Sequence, residues 1–171
     1  MVRKLSISSA FRKELSQSEI GKTINFCYQC GTCSGICPAL RYTKVFNPRR
    51  IIENSLLGFK EKIIEGDMIW QCTTCHSCLE VCPQAVLVSE IMFELKNLAT
   101  KQGNLPEGFR MEGQNVATLG LNIPSSPAIA RRRTQLKLIE NITTPNVEDF
   151  KKICEATGFF KLIAESEKKE E

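Results

Sequence analysis

The sequence predicts a mainly α chain, and three observations carry that expectation. Val88, Ile91, Met92, Leu95, Leu98 and Ala99 fall at i, i+3, i+4, i+7, i+10 and i+11, which is one apolar helix face. Helix starts are written as a capping residue followed by Pro, as at Asn47 and Pro48, and helix stops as Gly, as at Gly58 and Gly103. Strand signals are confined to residues 2–7 and 159–163, too little for a sheet.

The elements follow in order. After Pro48, the residues Ile51, Ile52 and Leu56 keep helical spacing up to Gly58, and residues 60–65 add a turn or two before Gly66. Pro83 is expected to open the next helix, which Gly103 ends. Repeated Gly and Pro between residues 103 and 127 predict mostly loop with one short helix. A helical segment is expected from Arg131 to Asn141. Thr144, Pro145 and Asn146 mark another start; Phe150, Ile153, Cys154 and Thr157 then line one face, and Gly158 closes it. Residues 164–171 read as a charged tail.

Composition narrows the function. Of 171 residues, 42% are hydrophobic and 25% charged, which suits a globular chain with a modest core. A net charge of +4, spread along the chain, is too mild for a nucleic-acid binder. The most apolar stretch, residues 85–98, is interrupted by Glu90, Glu94 and Lys96, so no membrane insertion is expected. Arg3 and Lys4 are followed by no apolar core or cleavage site, and a cytoplasmic location is expected. In that reducing compartment, nine cysteines suggest metal or cluster ligation rather than disulfides.

One internal repeat dominates. Cys27, Cys30, Cys33, Cys37 and Pro38 recur as Cys72, Cys75, Cys78, Cys82 and Pro83, each offset by 45 residues. Three cysteines at two-residue gaps let a loop wrap three corners of a cubane, with backbone N–H groups turned toward sulfur. The fourth corner must come from elsewhere. Gly31 and Gly35 are expected to let the first loop approach its cluster closely.

Two rival readings compete. Zinc sites usually pair their ligands across a finger or ribbon, unlike a tight run of four ending in Pro. Cys72 to His76 also spells C-x-x-C-H, the attachment motif of c-type haem. Against haem, both cysteines already belong to the longer run, and Gly31 stands where His76 does in the first run. His76, the one histidine, is expected beside the second cluster as a polar neighbour able to tune it.

Other residues have plainer readings beside functional ones. Cys154, on an apolar helix face, reads as a small buried hydrophobe. Trp70 reads as packing against a cluster rather than as a redox relay. Arg131, Arg132 and Arg133 read as a solvated face, with a docking patch for an acidic partner as the alternative. Arg41, Lys44, Arg49 and Arg50 either offset cluster charge or are simply solvated. With no G-x-G-x-x-G and no P-loop, a flavin, nicotinamide or nucleotide site is not expected, and catalytic residues are expected elsewhere than on this chain.

Each run resembles those of two-cluster bacterial ferredoxins, in which the fourth cysteine serves the other cluster. Carried over, that resemblance implies two [4Fe–4S] clusters, one on Cys27, Cys30, Cys33 and Cys82, the other on Cys72, Cys75, Cys78 and Cys37. The 34 residues between Cys37 and Cys72 read as helix rather than as paired strands, which is similar to the helical ferredoxin domain. That domain occurs in the iron–sulfur subunits of succinate dehydrogenases and in the C subunit of heterodisulfide reductases. The stretch from Cys30 to Cys33, and the stretch from Trp70 through Cys78 to Cys82, Pro83 and Gln84, resemble the latter family closely.

The resemblance covers about residues 25–100 and implies residues 1–24 as an N-terminal segment, 25–102 as the helical ferredoxin-type domain, 103–163 as a C-terminal extension and 164–171 as the tail. It also implies an electron relay with two partners. One is a flavin-containing iron–sulfur subunit; the other is the catalytic subunit that reduces the mixed disulfide of coenzyme M and coenzyme B in methanogens. Hydrogenase or formate dehydrogenase is a further expected partner in the larger assembly. Alternatives from the same class are an iron–sulfur subunit of a sulfur-oxidation complex or a free ferredoxin-like carrier; from another class, a zinc-binding interaction module.

Overall fold

The computed structural model describes residues 6–139, 142–143 and 146–164. Expectations placed on residues 2–5, 141, 144, 145 and 165–171 lie outside them. Among the described residues no strand occurs. The fold is mainly α, of the helical ferredoxin type, and the chain divides into two units, Met1–Asn104 and Leu105–Glu171.

The first unit begins with α1 (Ser9–Leu15) and α2 (Glu19–Lys22), capped by the hydroxyls of Ser8 and Ser18. A 3₁₀ turn (Thr23–Phe26) leads into the first cysteine loop, α3 (Thr32–Ile36) and α4 (Pro38–Thr43). Then come α5 (Pro48–Leu57) and α6 (Lys60–Ile64). A second 3₁₀ turn (Met68–Gln71) leads into the second loop, α7 (Ser77–Glu80) and the long α8 (Val88–Lys101).

The starts and stops behave as the residues dictate. Asn47 caps α5 by accepting from the Arg50 N–H at 3.1 Å, and Gly58 ends it in the left-handed region. Asn104 closes the unit by donating to the Ile64 carbonyl at 2.6 Å. The core is one cluster drawn from most of these helices, with Phe11, Ile51, Ile52, Ile64, Ile91 and Leu95 at its centre. Each such burial contributes about 1.5–3 kcal/mol. The loops that carry the cysteines stand on this core.

Pro83 departs from expectation. Pro38 does open α4, but Pro83 lies in a turn, and α8 starts only at Val88. Ala85 adopts φ 51, a left-handed turn incompatible with a continuing helix, and the Leu87 N–H is taken by the Thr23 hydroxyl at 3.1 Å. The turn brings Val86 and Val88 inward, where both are buried.

The second unit holds α9 (Glu107–Leu119), α10 (Pro127–Gln135), α11 (Val147–Thr157) and α12 (Phe159–Ala164). Two linked expectations are corrected first. Residues 103–127 contain a full helix rather than mostly loop, and residues 159–163 are helix rather than strand. Both corrections have one cause: Phe159 and Ile163, four residues apart on α12, press on α9 at Gly113, where an added Cβ would meet each at 3.2 Å. Glycine there costs about 1 kcal/mol in helix propensity and permits the close approach. The helix expected from Arg131 instead starts at Pro127, capped by Ser126, and ends at Gln135. Cys154 is buried with Ala117 and Ile163, as a small hydrophobe would be.

Candidate metal centres

The two cysteine loops share a backbone. In each, the first cysteine N–H bonds the carbonyl three residues earlier: Cys27 to Ile24 at 3.1 Å, Cys72 to Ile69 at 3.3 Å. Gln29 and Thr74 both have positive φ (63 and 52), as do Gly31 and His76 (85 and 59). Two left-handed residues flanking the second cysteine turn each loop sharply at the same place. Gly31 adopts this conformation without strain, whereas His76 holds it against the Cβ penalty. The fourth cysteines match as well, with Cys37 and Cys82 both bonding back at 3.3 Å, to Ser34 and Leu79.

Two cavities follow from this repetition. One is lined by Cys27, Cys30, Cys33 and Cys82, with Arg49, Ile52, Val86 and Val88 in its wall. The other is lined by Cys72, Cys75, Cys78 and Cys37, with Phe46, His76, Ser89 and Met92. The structure thus brings three cysteines of each run together with the last cysteine of the other. None of the nine cysteines is in a disulfide.

Local hydrogen bonds and charge bear on the sulfurs. The Cys37 Sγ accepts from the Leu40 N–H at 3.5 Å, and the Cys82 Sγ from the Val86 N–H at 3.3 Å. Gln29 Nε2 donates to the Cys27 Sγ at 3.3 Å. The exposed thiols of Cys30 and Cys75 are held below their ordinary pKa by hydrogen bonds with Thr32 and Ser77. Deeper in, burial pushes Cys33 up, and it pushes Cys78 up to about 12, with the neighbouring Cys72, Cys33 and Cys75 thiolates adding repulsion. Four thiols facing one cavity bind as thiolates only with a cationic occupant.

The donor set fits an iron–sulfur cube. Thiolates are the ligands such clusters take. Among the described residues, no three His, Cys, Asp or Glu side chains converge closely enough to hold one ion. Four cysteines drawn from two loops around one cavity suit the corners of a cube.

The remaining predicted residues are placed as follows. His76 lines the second cavity, its Nδ1 3.0 Å from the Ser89 hydroxyl and 3.4 Å from a Glu90 carboxylate oxygen. Gly31 lines the first cavity; Gly35 lines neither, and its carbonyl accepts from Arg41 at 3.2 Å. Trp70 lies behind Cys72, its ring 5.9 Å from the Lys96 Nζ. Arg131 and Arg132 are exposed, while Arg133 donates to the Ile139 carbonyl at 2.6 Å.

Sequence reasoning missed Lys96, which is buried and donates to the Cys72 carbonyl at 3.0 Å. The signal was present: Val88, Met92 and Lys96 follow at four-residue steps, so Lys96 shares the buried stripe of α8. Burial lowers its pKa, and the Cys72 thiolate opposes that shift. No helix among the described residues is long and apolar enough to cross a membrane.

Comparison with known proteins agrees with this geometry. A model of the 4Fe–4S dicluster domain matches residues 23–86, which include both runs. The chain is 33% identical over 168 residues to the C subunit of the H(2):CoB–CoM heterodisulfide,ferredoxin reductase of Methanothermobacter thermautotrophicus, covering 95% of this chain and 90% of that one. It is 35% identical over 151 residues to the second form of the iron–sulfur C subunit of the CoB–CoM heterodisulfide reductase of Methanocaldococcus jannaschii, covering 85% and 80%. The iron–sulfur C subunit of the corresponding reductase from Methanopyrus kandleri is 31% identical over 175 residues, covering 95% and 91%. With paired cysteine runs, a helical scaffold and similarity over nearly its whole length, the chain belongs to the heterodisulfide reductase C-subunit family, an oxidoreductase iron–sulfur family of the 4Fe–4S type.

Proposed function

We propose that this chain holds two [4Fe–4S] clusters in crossed ligation and relays electrons within a cytoplasmic heterodisulfide reductase-type complex. Cys27, Cys30, Cys33 and Cys82 hold one cluster; Cys72, Cys75, Cys78 and Cys37 hold the other. The single observation carrying this reading is that each cavity is lined by three cysteines of one run and the fourth of the other. One-electron uptake and release is the chemistry such clusters supply when bound.

The chain's own residues do the rest. They exclude water with apolar walls at Val86, Val88, Phe46 and Met92. They keep the two centres adjacent, because α3 packs on α7. No substrate site is needed here. Electrons pass from a flavin-containing partner to a catalytic one, with a hydrogenase or formate dehydrogenase feeding the larger assembly.

The test is anoxic purification of the native complex with metal and sulfide analysis. Iron and acid-labile sulfide near about eight each per chain support the reading. So does co-purification of a flavoprotein and a second iron–sulfur protein. Zinc without sulfide, or a chain recovered alone, overturns it.

A further inference from the structure

Lys96 is only 8% exposed, an unusual place for an ammonium group. Its Nζ donates to the Cys72 carbonyl at 3.0 Å and lies 5.9 Å from the Trp70 ring centre and 6.0 Å from that of Phe93. These contacts are a hydrogen bond and two cation–π arrangements, and both kinds favour a cation. Neither the amine nor the two rings line the second cavity. Together they back the first cysteine of the second run.

The internal repeat supplies a control. Residues of α5 and α8 that line the cavities match at an offset of 40: Pro48 with Val88, Arg49 with Ser89, Ile52 with Met92. The same offset sets Leu56 against Lys96 and Glu53 against Phe93. Trp70, two residues before Cys72, answers to Asn25, two before Cys27. The Trp70, Phe93 and Lys96 set therefore has no sequence counterpart in the first run, where Asn25, Glu53 and Leu56 occupy the matching positions.

We propose that Lys96 is a positioning residue that raises the reduction potential of the second centre through Cys72. This rests on the two-cluster reading. Reduction adds one negative charge to the thiolate-held centre, with no bond made or broken. A buried cation favours that charge, because the protein interior screens it far less than water does. Burial among Trp70, Phe93 and the Cys72 carbonyl fixes the amine in place, so its field costs no reorganisation when the electron arrives.

The experiment is a dithionite-poised EPR titration of the full chain, anoxically purified, as the unmodified protein, Lys96→Met and Lys96→Arg. In Lys96→Met, one of two midpoints should fall, its reduction equilibrium weakened about tenfold, or about 59 mV for one electron. The other midpoint stays, Lys96→Arg restores the first, and iron and sulfide content are equal throughout. The moving step is assigned to the second centre by its disappearance in Cys75→Ala. Unchanged midpoints in Lys96→Met, equal shifts in both, or Lys96→Arg behaving like Lys96→Met overturn the proposal. Should Lys96→Met lose its clusters, Lys96→Gln is titrated instead, and loss there too overturns tuning in favour of a purely structural clamp. Failure of the two-cluster reading is separate, since the unmodified chain would then lack two steps.

Discussion

Around Cys27, Cys30 and Cys33 the cavity wall carries Arg49, and the loop turns at a glycine, Gly31. Around Cys72, Cys75 and Cys78 the wall carries His76 and Ser89, and the loop turns at His76 itself. Where the second run has Trp70, Phe93 and Lys96 beside Cys72, the matching sequence positions of the first are Asn25, Glu53 and Leu56. The backbone of the two loops is the same to the level of individual hydrogen bonds. Two sites with one ligand geometry thus differ in charge and polarity, which are the levers that separate cluster potentials. The repetition provides two cavities, each lined by four cysteines.

The largest effect tests whether the halves are joined as proposed. Cys82→Ala should remove the cluster on Cys27, Cys30 and Cys33, and Cys37→Ala the one on Cys72, Cys75 and Cys78, each taking about four of eight irons. EPR of the reduced variants checks this. If each variant lost the cluster of its own run, the crossing would be broken. Next in size are the fourth-corner walls. Phe46 lines the second cavity where Val86, at the same offset of 40, lines the first; both are buried. Phe46→Ala should cost about 3–5 kcal/mol in anoxic urea unfolding. Val86→Ala should cost less, and an equal loss would erase the distinction.

Smaller effects separate the helix starts and loops. Asn47 caps α5 and also accepts from the Ser34 hydroxyl at 2.8 Å, whereas α8 has no side-chain cap. Asn47→Ala should therefore lower the thermal midpoint, with a loss of about 0.5–2 kcal/mol. Gly31→Ala asks whether the first loop tolerates the penalty that His76 already bears. A Cβ there would meet only Arg49 Cδ at 3.7 Å, so the cost is conformational, about 1 kcal/mol or slightly more. Cluster content should be unchanged by the same measurement. A loss of iron would show that the first loop, unlike the second, depends on glycine to hold its ligands.

The cysteine repeat, the helical class, most helix starts and stops and the burial of Cys154 were legible in the residues alone. They depend on local chemistry: ligand spacing, capping side chains, left-handed glycines and a periodic apolar face. Three features were not legible. Pro83 turns instead of opening a helix because Thr23, 64 residues earlier than Leu87, takes the Leu87 N–H. Residues 107–119 are helical despite their glycines because α12 packs on Gly113. Lys96 is interior because Trp70, Phe93 and the Cys72 carbonyl meet it there.

By itself, the sequence determined that eight thiols in two equal runs stand on a helical chain, since spacing and caps act between near neighbours. Only the tertiary structure decided which thiols face the same cavity and which side chains back them. Those are contacts between residues tens of positions apart, and no local preference encodes them. The residues that share a cavity are chosen by how the helices pack into one core.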